Sequence, residues 1–456
     1  MSGSDKFSRL AALKPARAAA ARPATLRAPE DADELAQLLG ASVARNRFGD
    51  HLAVRNWFST PEFAEPSPAA LEILARTRDE SASRRTRAAI ADPSQWLFLD
   101  TETTGLAGGT GTYAFLVGLA WWDAGGLQTE QFFLRDFSEE HSLLHELAAR
   151  LAERPVLVTF NGKSFDWPLL ESRFTMTRAI PAPRLAAHLD LLHPARALWK
   201  LRLGSVRLVE LERHVLDAPR LGWRREDDVP SALIPQFYFD YLRGGPAAPL
   251  VSVARHNQMD LRGLAALFGK INTLLSTESH QDPDIHSLDL FGLSRYLDRR
   301  GEAARAHTIC ERALECGLPA EFRPQAHRDL AVRARRRGDH AAAAALWEQL
   351  LADPRDALHA CEQLAIYYER RAKDPARATE YARLGLKKAQ LAQAQAPHAW
   401  TASATALRAA RMQEKFQQRL ARLEHQMQTQ LAAAPHALEE RSGPGWAPTG
   451  PLILWN

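Results

Sequence analysis

Apolar and polar positions between residues 96 and 275 alternate between the periods of strands and helices. Continuous apolar runs at 96–99 and 156–160 are typical of buried strands, and the stretch at 252–275 has helical periodicity. Because a helical stretch separates the two apolar runs, their strands are expected to be parallel. The other predicted elements are strands at 51–58, 113–122, 127–134 and 188–192 and helices at 31–39, 142–153 and 165–174. The pattern therefore predicts a mixed α/β domain.

After a break near residue 283 the pattern becomes entirely helical. An arginine-containing segment recurs with a period of about 35 to 37 residues, which is the period of a paired-helix repeat. The recurring segments lie at 297–304, 335–342 and 370–377. They resemble the tetratricopeptide repeat, so we predict helical repeats over residues 285–431, ending in one long helix at 390–431. Such repeats present surfaces to protein partners.

The two ends of the chain have a different composition from its middle. Residues 1–50 are rich in alanine and arginine and are predicted to be a basic, partly disordered region that attracts phosphates without sequence preference. An amphipathic organelle transit peptide at 7–27 is the less favoured alternative. Residues 51–94 form a lead-in segment, and residues 432–456 form a C-terminal tail with proline and glycine.

Length and charge limit the class of protein. A chain of 456 residues is expected to hold two or three domains. Its net charge of +4 is compatible with a polyanionic partner but does not establish one. The three cysteines form neither a disulfide framework nor a zinc pattern, which favours a reducing, cytoplasmic location. No apolar run approaches the roughly 18 residues of a membrane span, so no membrane association is expected.

Four carboxylates and one histidine stand where predicted strands end and a predicted helix begins. Asp100 and Glu102 follow the first apolar run with one residue between them, so both side chains point to the same face. Taken alone, such a pair is also compatible with two solvated acids, but a divalent cation relieves their mutual repulsion. Asp166 follows the second apolar run, and His256 and Asp260 share one face of the last helix. We expect the four carboxylates to meet at one site.

The order of these residues resembles a known family. The motifs are DTETTGL at 100–106, NGKSFD at 161–166 and HNQMD at 256–260, supported by GGTGTY at 108–113, DLLH at 190–193, LVELE at 208–212 and DDVP at 227–230. Together they resemble the DEDD (DnaQ-like) exonuclease superfamily, and within it the YprB-type ribonuclease-H-like domain. The resemblance implies a ribonuclease-H-like mixed sheet with flanking helices in an exonuclease domain at 95–276, followed by an all-α helical-repeat domain.

The resemblance also implies two Mg²⁺ or Mn²⁺ ions at one site. Asp100, Glu102 and Asp260 are expected to hold the ion that activates water, and Asp100 and Asp166 the ion that faces the leaving group. His256 lies four residues before Asp260, which is the spacing of the tyrosine branch of the superfamily, whereas histidine in the other branch lies five before. We therefore predict His256 to be either the general base or a group that orients water.

Residues that bind the substrate follow from the same resemblance. The predicted set is Thr101, Thr103, Gly105, Leu106, Asn161, Lys163 and Phe165. The backbone at 101–106 is expected to cradle a terminal nucleotide, and Lys163 to meet a phosphate. Phe165 either lies against the base or sugar or packs in the core, and Asn161 is expected to fix its turn. Asp190 is either a fifth acid of the site or a helix cap, and Arg225 is expected to pair with nearby acids.

The resulting prediction is a metal-dependent 3′–5′ exonuclease that hydrolyses DNA or RNA. The alternative is a catalytically weak nucleic-acid binder or scaffold whose helical repeats contact other proteins. The complete set of four carboxylates favours the enzyme, because such a cluster is costly without a metal ion.

Overall fold

The computed structural model describes residues 29–59, 68–75, 84–105, 111–220, 222–225, 228–276, 284–394 and 402–433. Most of the predicted basic region and the predicted C-terminal tail lie outside these residues. The chain divides into two compact units, residues 1–285 with 295–300 and residues 286–294 with 301–456. Among the described helices, none combines the length and the apolar character that crossing a membrane requires.

The first unit is built on a sheet of seven strands. The strands are β1 (Ser42–Asn46), β2 (Gly49–Phe58), β3 (Trp96–Thr103), β4 (Ala114–Asp123), β5 (Gly126–Phe133), β6 (Val156–Thr159) and β7 (Ala187–Asp190). Their order in the sheet is β1-β2-β5-β4-β3-β6-β7. The pairs from β1 through β3 are antiparallel, whereas β3–β6 and β6–β7 are parallel. This mixed sheet with flanking helices confirms the predicted fold class.

Helices surround this sheet. They are α1 (Pro29–Leu39), α2 (Pro68–Ala75), α3 (Arg84–Ala91), α4 (Glu140–Glu153), α5 (Asp166–Thr177), α6 (Leu192–Leu203), α7 (Leu208–Leu211), α8 (Ile234–Leu242) and α9 (Ala248–Leu275). The described end of the predicted basic region is folded, because Leu35 of α1 is buried in the core and β1 pairs with β2.

Strand β3 and helix α9 position the residues of the site. The first half of β3, from Trp96 to Leu99, is fully buried, and Trp96 and Phe98 contact Phe268 of α9. The polar second half of β3 extends beyond this apolar anchor and contains an irregularity between Glu102 and Thr103. Burial of the apolar half therefore fixes where the carboxylates of the polar half emerge.

The second unit is helical throughout its described residues. Its helices are the first part of α10 (Ser287–Arg299), whose residues 295–299 belong to the first unit, and α11 (Ala303–Glu315), α12 (Arg323–Arg336), α13 (His340–Gln349), α14 (Ala357–Arg370), α15 (Pro375–Ala394) and α16 (Ala402–Ala433). The three predicted recurring segments coincide with helix-to-helix turns, and each has a left-handed residue at its centre: Gly301, Gly338 and Lys373. Assignment of these helices to the tetratricopeptide repeat stays a prediction.

The prediction of one long helix at 390–431 is wrong. Helix α15 ends at Ala394, and α16 packs back along it, so that Gly385 faces the Phe416 ring and Thr379 lies near Met427. In one continuous helix, residues 385 and 416 would lie about 46 Å apart at 1.5 Å per residue. Pro397, which disfavours a continuous helix, stands in the sequence between α15 and α16, and burial of Phe416 and its apolar neighbours against α15 stabilises the packing of the two helices.

Candidate active site

The polar end of β3 directs two carboxylates towards helix α9. Asp100 lies opposite Gly118 of β4, and Glu102 lies two residues further along the same strand. The Nδ2 of Asn257 in α9 donates to Asp100 Oδ2 at 2.8 Å and also to the Asp100 carbonyl at 3.3 Å. Asp100 is thus held by a residue that follows it by 157 positions in the chain.

Asp166 reaches the site from the first turn of α5. The Thr101 hydroxyl donates to Asp166 Oδ1 at 2.5 Å, which ties the start of α5 to β3. Thr101 was predicted to contact substrate through its backbone, and the structure shows a further role for its side chain in orienting Asp166.

His256 and Asp260 project from one face of α9 towards Glu102. The His256 Nε2 lies 3.5 Å from Asp260 Oδ2 and 3.9 Å from Glu102 Oε1. One ligand atom from each of these three residues lies within 4.8 Å of the other two, an arrangement that can hold a metal ion. The four-residue spacing on α9 therefore brings the histidine and the carboxylate to the same point, as the sequence predicts.

A buried network lies behind this cluster. Asp228 Oδ1 is 2.7 Å from His256 Nδ1, and Asp228 Oδ2 is 3.0 Å from Arg225 Nη1. Arg225 also donates to both oxygens of Glu212, at 2.5 and 2.7 Å, and to Asp260 Oδ1. The expected pairing of Arg225 with a nearby acid is confirmed for Asp228. One guanidinium thus links three carboxylates and fixes the position of Asp260.

Two glycines make room for these buried contacts. A Cβ atom on Gly118 would lie 2.1 Å from Asn257 Oδ1, and one on Gly263 would lie 2.1 Å from Glu212 Oε1. Both distances are far shorter than van der Waals contact. Strand β4 and helix α9 therefore need glycine at these positions so that the polar side chains can enter.

The site carries negative charge with little solvent to stabilise it. Burial raises the pKa of Asp100 well above its ordinary value, and the charges of Asp260, Glu102 and Asp166 raise it further. Burial likewise raises the pKa of Glu102 to about 8 and raises the pKa of Asp166. These interactions show that the four predicted carboxylates lie together. A cluster of mostly oxygen donors with this excess of negative charge fits a divalent cation.

The same negative charges that disfavour the ionised carboxylates favour the protonated, positively charged form of His256. Burial disfavours the imidazolium form of His256, but the bond to Asp228 and the charges of Asp260 and Glu102 outweigh it and raise its pKa. Burial also opposes ionisation of Asp228, yet its bonds to His256 and Arg225 keep its pKa below the ordinary value. Asp228 is therefore ionised in the neutral range and holds the Nδ1–H of His256.

A cleft of about 500 Å³ opens beside the carboxylates. Glu102, Asp166 and the predicted substrate-binding residues Thr101, Thr103, Gly105 and Phe165 all line it. The Phe165 side chain is 60% exposed, so the alternative that it packs in the core is wrong. Its ring is available to a ligand at the mouth of the cleft. Leu106 lies outside the described residues.

Asn161 and Lys163 occupy the turn between β6 and α5. Asn161 has a left-handed backbone with φ of 69°, a conformation that asparagine tolerates well. The backbone N–H groups of Asn161 and Lys163 donate to the two oxygens of Asp190, and Leu192 N–H also donates to Asp190. Asp190 thus holds this turn together with the backbone bond from Ser164 N–H to the Asn161 carbonyl, and it also accepts from the first N–H of the following helix. The Lys163 side chain is exposed.

Comparison with known proteins agrees with this architecture. Residues 97–272 match the family model of the RNase H superfamily. Over 321 residues the chain is 30% identical to a Bacillus subtilis (strain 168) protein named uncharacterized protein YprB, covering 70% of this chain and 75% of that protein. The chain belongs to the family of YprB, and its residues 97–272 form a domain of the RNase H superfamily. The RNase H domain and the similarity to YprB confirm the broader part of the predicted resemblance, and membership indicates nuclease or other nucleic-acid-processing activity.

Several residues of the site were not assigned roles by sequence reasoning. Asn257 and Glu212 lie inside the HNQMD and LVELE segments, which were used only as marks of resemblance, and Asp228 was expected only as an ion-pair partner of Arg225. Polar residues within apolar helical faces, such as Asn257 between Ala254 and Leu261, are the signal that could have identified them. Their partners, however, come from distant parts of the RNase H domain.

Proposed function

We propose that this RNase H superfamily protein is a metal-dependent 3′–5′ exonuclease that hydrolyses phosphodiester bonds of DNA or RNA. The observation that supports the proposal most directly is the meeting of Asp100, Glu102, Asp166 and Asp260 at a buried site with excess negative charge. Such a site is destabilised by its own repulsion unless a cation binds. The same carboxylates would hold two Mg²⁺ or Mn²⁺ ions.

Divalent ions at this site would activate a water molecule and stabilise the negative charge on the reacting phosphate. The residues of the chain determine where those ions and the substrate lie. Asn257 orients Asp100, Thr101 orients Asp166, and Arg225 orients Asp260. Three of the four carboxylates are thus fixed by a second residue before any ion binds, which lowers the reorganisation needed at the moment of reaction.

The cleft supports an action on chain ends. Its volume of about 500 Å³ lies in the range of pockets that enclose a small molecule, and a terminal nucleotide is of that size. Phe165 offers an exposed aromatic face on which a base can stack without sequence preference. Thr103, whose hydroxyl donates to the Gly105 carbonyl at 2.9 Å, shapes the wall beside the carboxylates.

A catalytically weak nucleic-acid binder is the competing function, and one observation favours it. Arg225 already bonds to Asp260, and His256 lies beside Glu102 and Asp260. Two positive side chains thus neutralise part of the cluster without a metal ion. In that case the helical second unit, which we propose to contact a protein partner, would carry the main biological role. We further propose that the exonuclease domain ends near residue 276, that the helical repeats begin near residue 285, and that the protein is cytoplasmic.

Digestion of end-labelled nucleic acid separates these functions. Full-length protein is incubated with 5′-labelled single-stranded and duplex DNA and RNA in Mn²⁺, Mg²⁺ or EDTA. A 3′–5′ exonuclease gives a ladder of products shortened from the 3′ end, which disappears in EDTA and in Asp100→Asn. Internal cleavage from the first time points contradicts the exonuclease proposal. Binding without cleavage under every metal condition supports the competing function.

A further inference from the structure

The position of His256 differs from that expected of a residue whose only role is to accept a proton from water. Its Nε2 faces the two carboxylate oxygens of Asp260 and Glu102 at 3.5 and 3.9 Å. Ligand atoms bound to one ion at about 2.1 Å lie about 3.0 to 3.5 Å apart. All three ligand atoms lie within 4.8 Å of one another, so movements of the side chains alone can bring them to one ion.

The spacing of His256 and Asp260 on the helix is a second, independent observation that favours metal binding by His256. His256 and Asp260 lie one turn apart on α9, so both side chains reach the same point from one rigid element. Two ligands at this spacing on a helix are the arrangement by which the H-E-x-x-H motif binds a metal ion. Neither side chain requires a change in the backbone to bind the same ion.

The hydrogen bond at Nδ1, the other nitrogen of the imidazole ring, is the third observation that favours metal binding by His256. Asp228 Oδ1 accepts from Nδ1 at 2.7 Å, which leaves the Nε2 lone pair directed at Glu102 and Asp260 when the ring is neutral. Metal-binding histidines have this partner on their other nitrogen, and it fixes both the tautomer and the ring orientation. Asp228 is itself fixed by Arg225, so the ring cannot turn away without breaking the buried network.

We infer that His256 Nε2 is a direct ligand, with Glu102 and Asp260, of one divalent transition-metal ion, and that Asp228 is its positioning residue. An imidazole nitrogen among carboxylate oxygens suits Mn²⁺ and related ions, whereas Mg²⁺ prefers oxygen ligands alone. The site therefore selects Mn²⁺ over Mg²⁺. The inference deepens the proposed nuclease function and rests on it, and it replaces the general-base role predicted from the sequence with a ligand role.

Pulsed electron paramagnetic resonance of Mn²⁺ bound to the full-length protein tests this directly. A bound imidazole gives a ¹⁴N coupling, and growth with ¹⁵N-histidine converts it to a ¹⁵N coupling without any substitution. The coupling is expected in the wild type, absent in His256→Gln, and unchanged in the control His193→Gln, which alters an exposed histidine outside the site. Circular dichroism verifies that each variant folds.

Titration calorimetry measures the selectivity. His256→Gln should weaken Mn²⁺ binding at least about 10-fold and change Mg²⁺ binding less than about 3-fold, and Asp228→Asn should weaken Mn²⁺ binding by about 10-fold. Mn²⁺ that binds to an active nuclease without a histidine coupling overturns the ligand assignment and leaves the nuclease proposal standing. Equal losses of Mn²⁺ and Mg²⁺ affinity in His256→Gln overturn the selectivity. Failure of the wild type to bind any Mn²⁺ overturns both the inference and the proposed function.

Discussion

Substituting Gly118 by alanine tests whether the site depends on close contact between β4 and α9. Gly118 lies opposite Asp100 in the sheet, and the added Cβ would lie 2.1 Å from Oδ1, 2.8 Å from Cγ and 2.9 Å from Nδ2 of Asn257. Asn257 is completely buried, so its side chain has no free space into which it can move. We expect the alanine to displace the amide and to break its bonds.

The cost follows from the contacts that are lost. Asn257 donates to Asp100 Oδ2 at 2.8 Å and accepts from Gln131 Nε2 at 2.8 Å. A hydrogen bond to a charged group contributes about 1.5–3 kcal/mol, and overpacking a buried site costs about 1–3 kcal/mol. Gly118→Ala should therefore lower the free energy of unfolding by about 3–5 kcal/mol. Asn257→Ala, which leaves polar partners unpaired, should lower it by about 2–4 kcal/mol.

Urea unfolding of the full-length protein in metal-free buffer measures both values, with Gly111→Ala as the control. Gly111 has open space around its Cα, so alanine there should change stability by less than about 0.5 kcal/mol. In the double variant Gly118→Ala/Asn257→Ala the clash no longer exists. Its cost should be at least about 1 kcal/mol smaller than the two single costs added together. Additive costs, or a Gly118→Ala variant as stable as the wild type, refute this account of the contact.

Three further predictions concern charge, pH and the second unit. In metal-free buffer Asp100→Asn should raise the unfolding free energy by about 1–2 kcal/mol. Burial and the neighbouring carboxylates raise the pKa of Asp100, so folding must either bury its charge or protonate it, and asparagine avoids both costs. Mn²⁺ at 100 times its Kd should stabilise the wild type by about 2.7 kcal/mol and the variant less. Burial lowers the pKa of His51 to about 4, so the unfolded chain binds the proton more tightly, and stability present above pH 6.5 should fall by up to about 3 kcal/mol as the pH drops towards 4. His51→Gln should flatten that part of the profile, and an unchanged slope contradicts the assignment. Gly385→Ala should destabilise the second unit by about 1–3 kcal/mol, because the added Cβ would lie 2.3 Å from the Phe416 ring. Thermal unfolding followed by circular dichroism measures the change. Helix propensity alone predicts an increase in stability, and that result would refute the packing of Gly385 against Phe416.

Local patterns in the sequence are sufficient to predict the elements that carry the chemistry. The apolar run from Trp96 to Leu99 predicts a buried strand, and alternation along it puts Asp100 and Glu102 on one face. The four-residue spacing of His256 and Asp260 puts both on one face of a helix. These inferences hold because each depends only on local backbone geometry, and α9 and β3 adopt the periods that their apolar residues dictate.

Other features depend on which distant groups meet in the folded chain, so no local pattern predicts them. Nothing in the local pattern shows that Asn257 holds Asp100, or that Asp228 fixes the imidazole of His256. The segment at 390–431 contains Pro397, which predicts an interruption of a helix, but only the burial of Phe416 against α15 shows that the chain turns back. Buried polar groups need a partner, and the folded chain alone determines which partner is within reach. The carboxylates of this site could therefore be predicted from the sequence, whereas the residues that orient them could not.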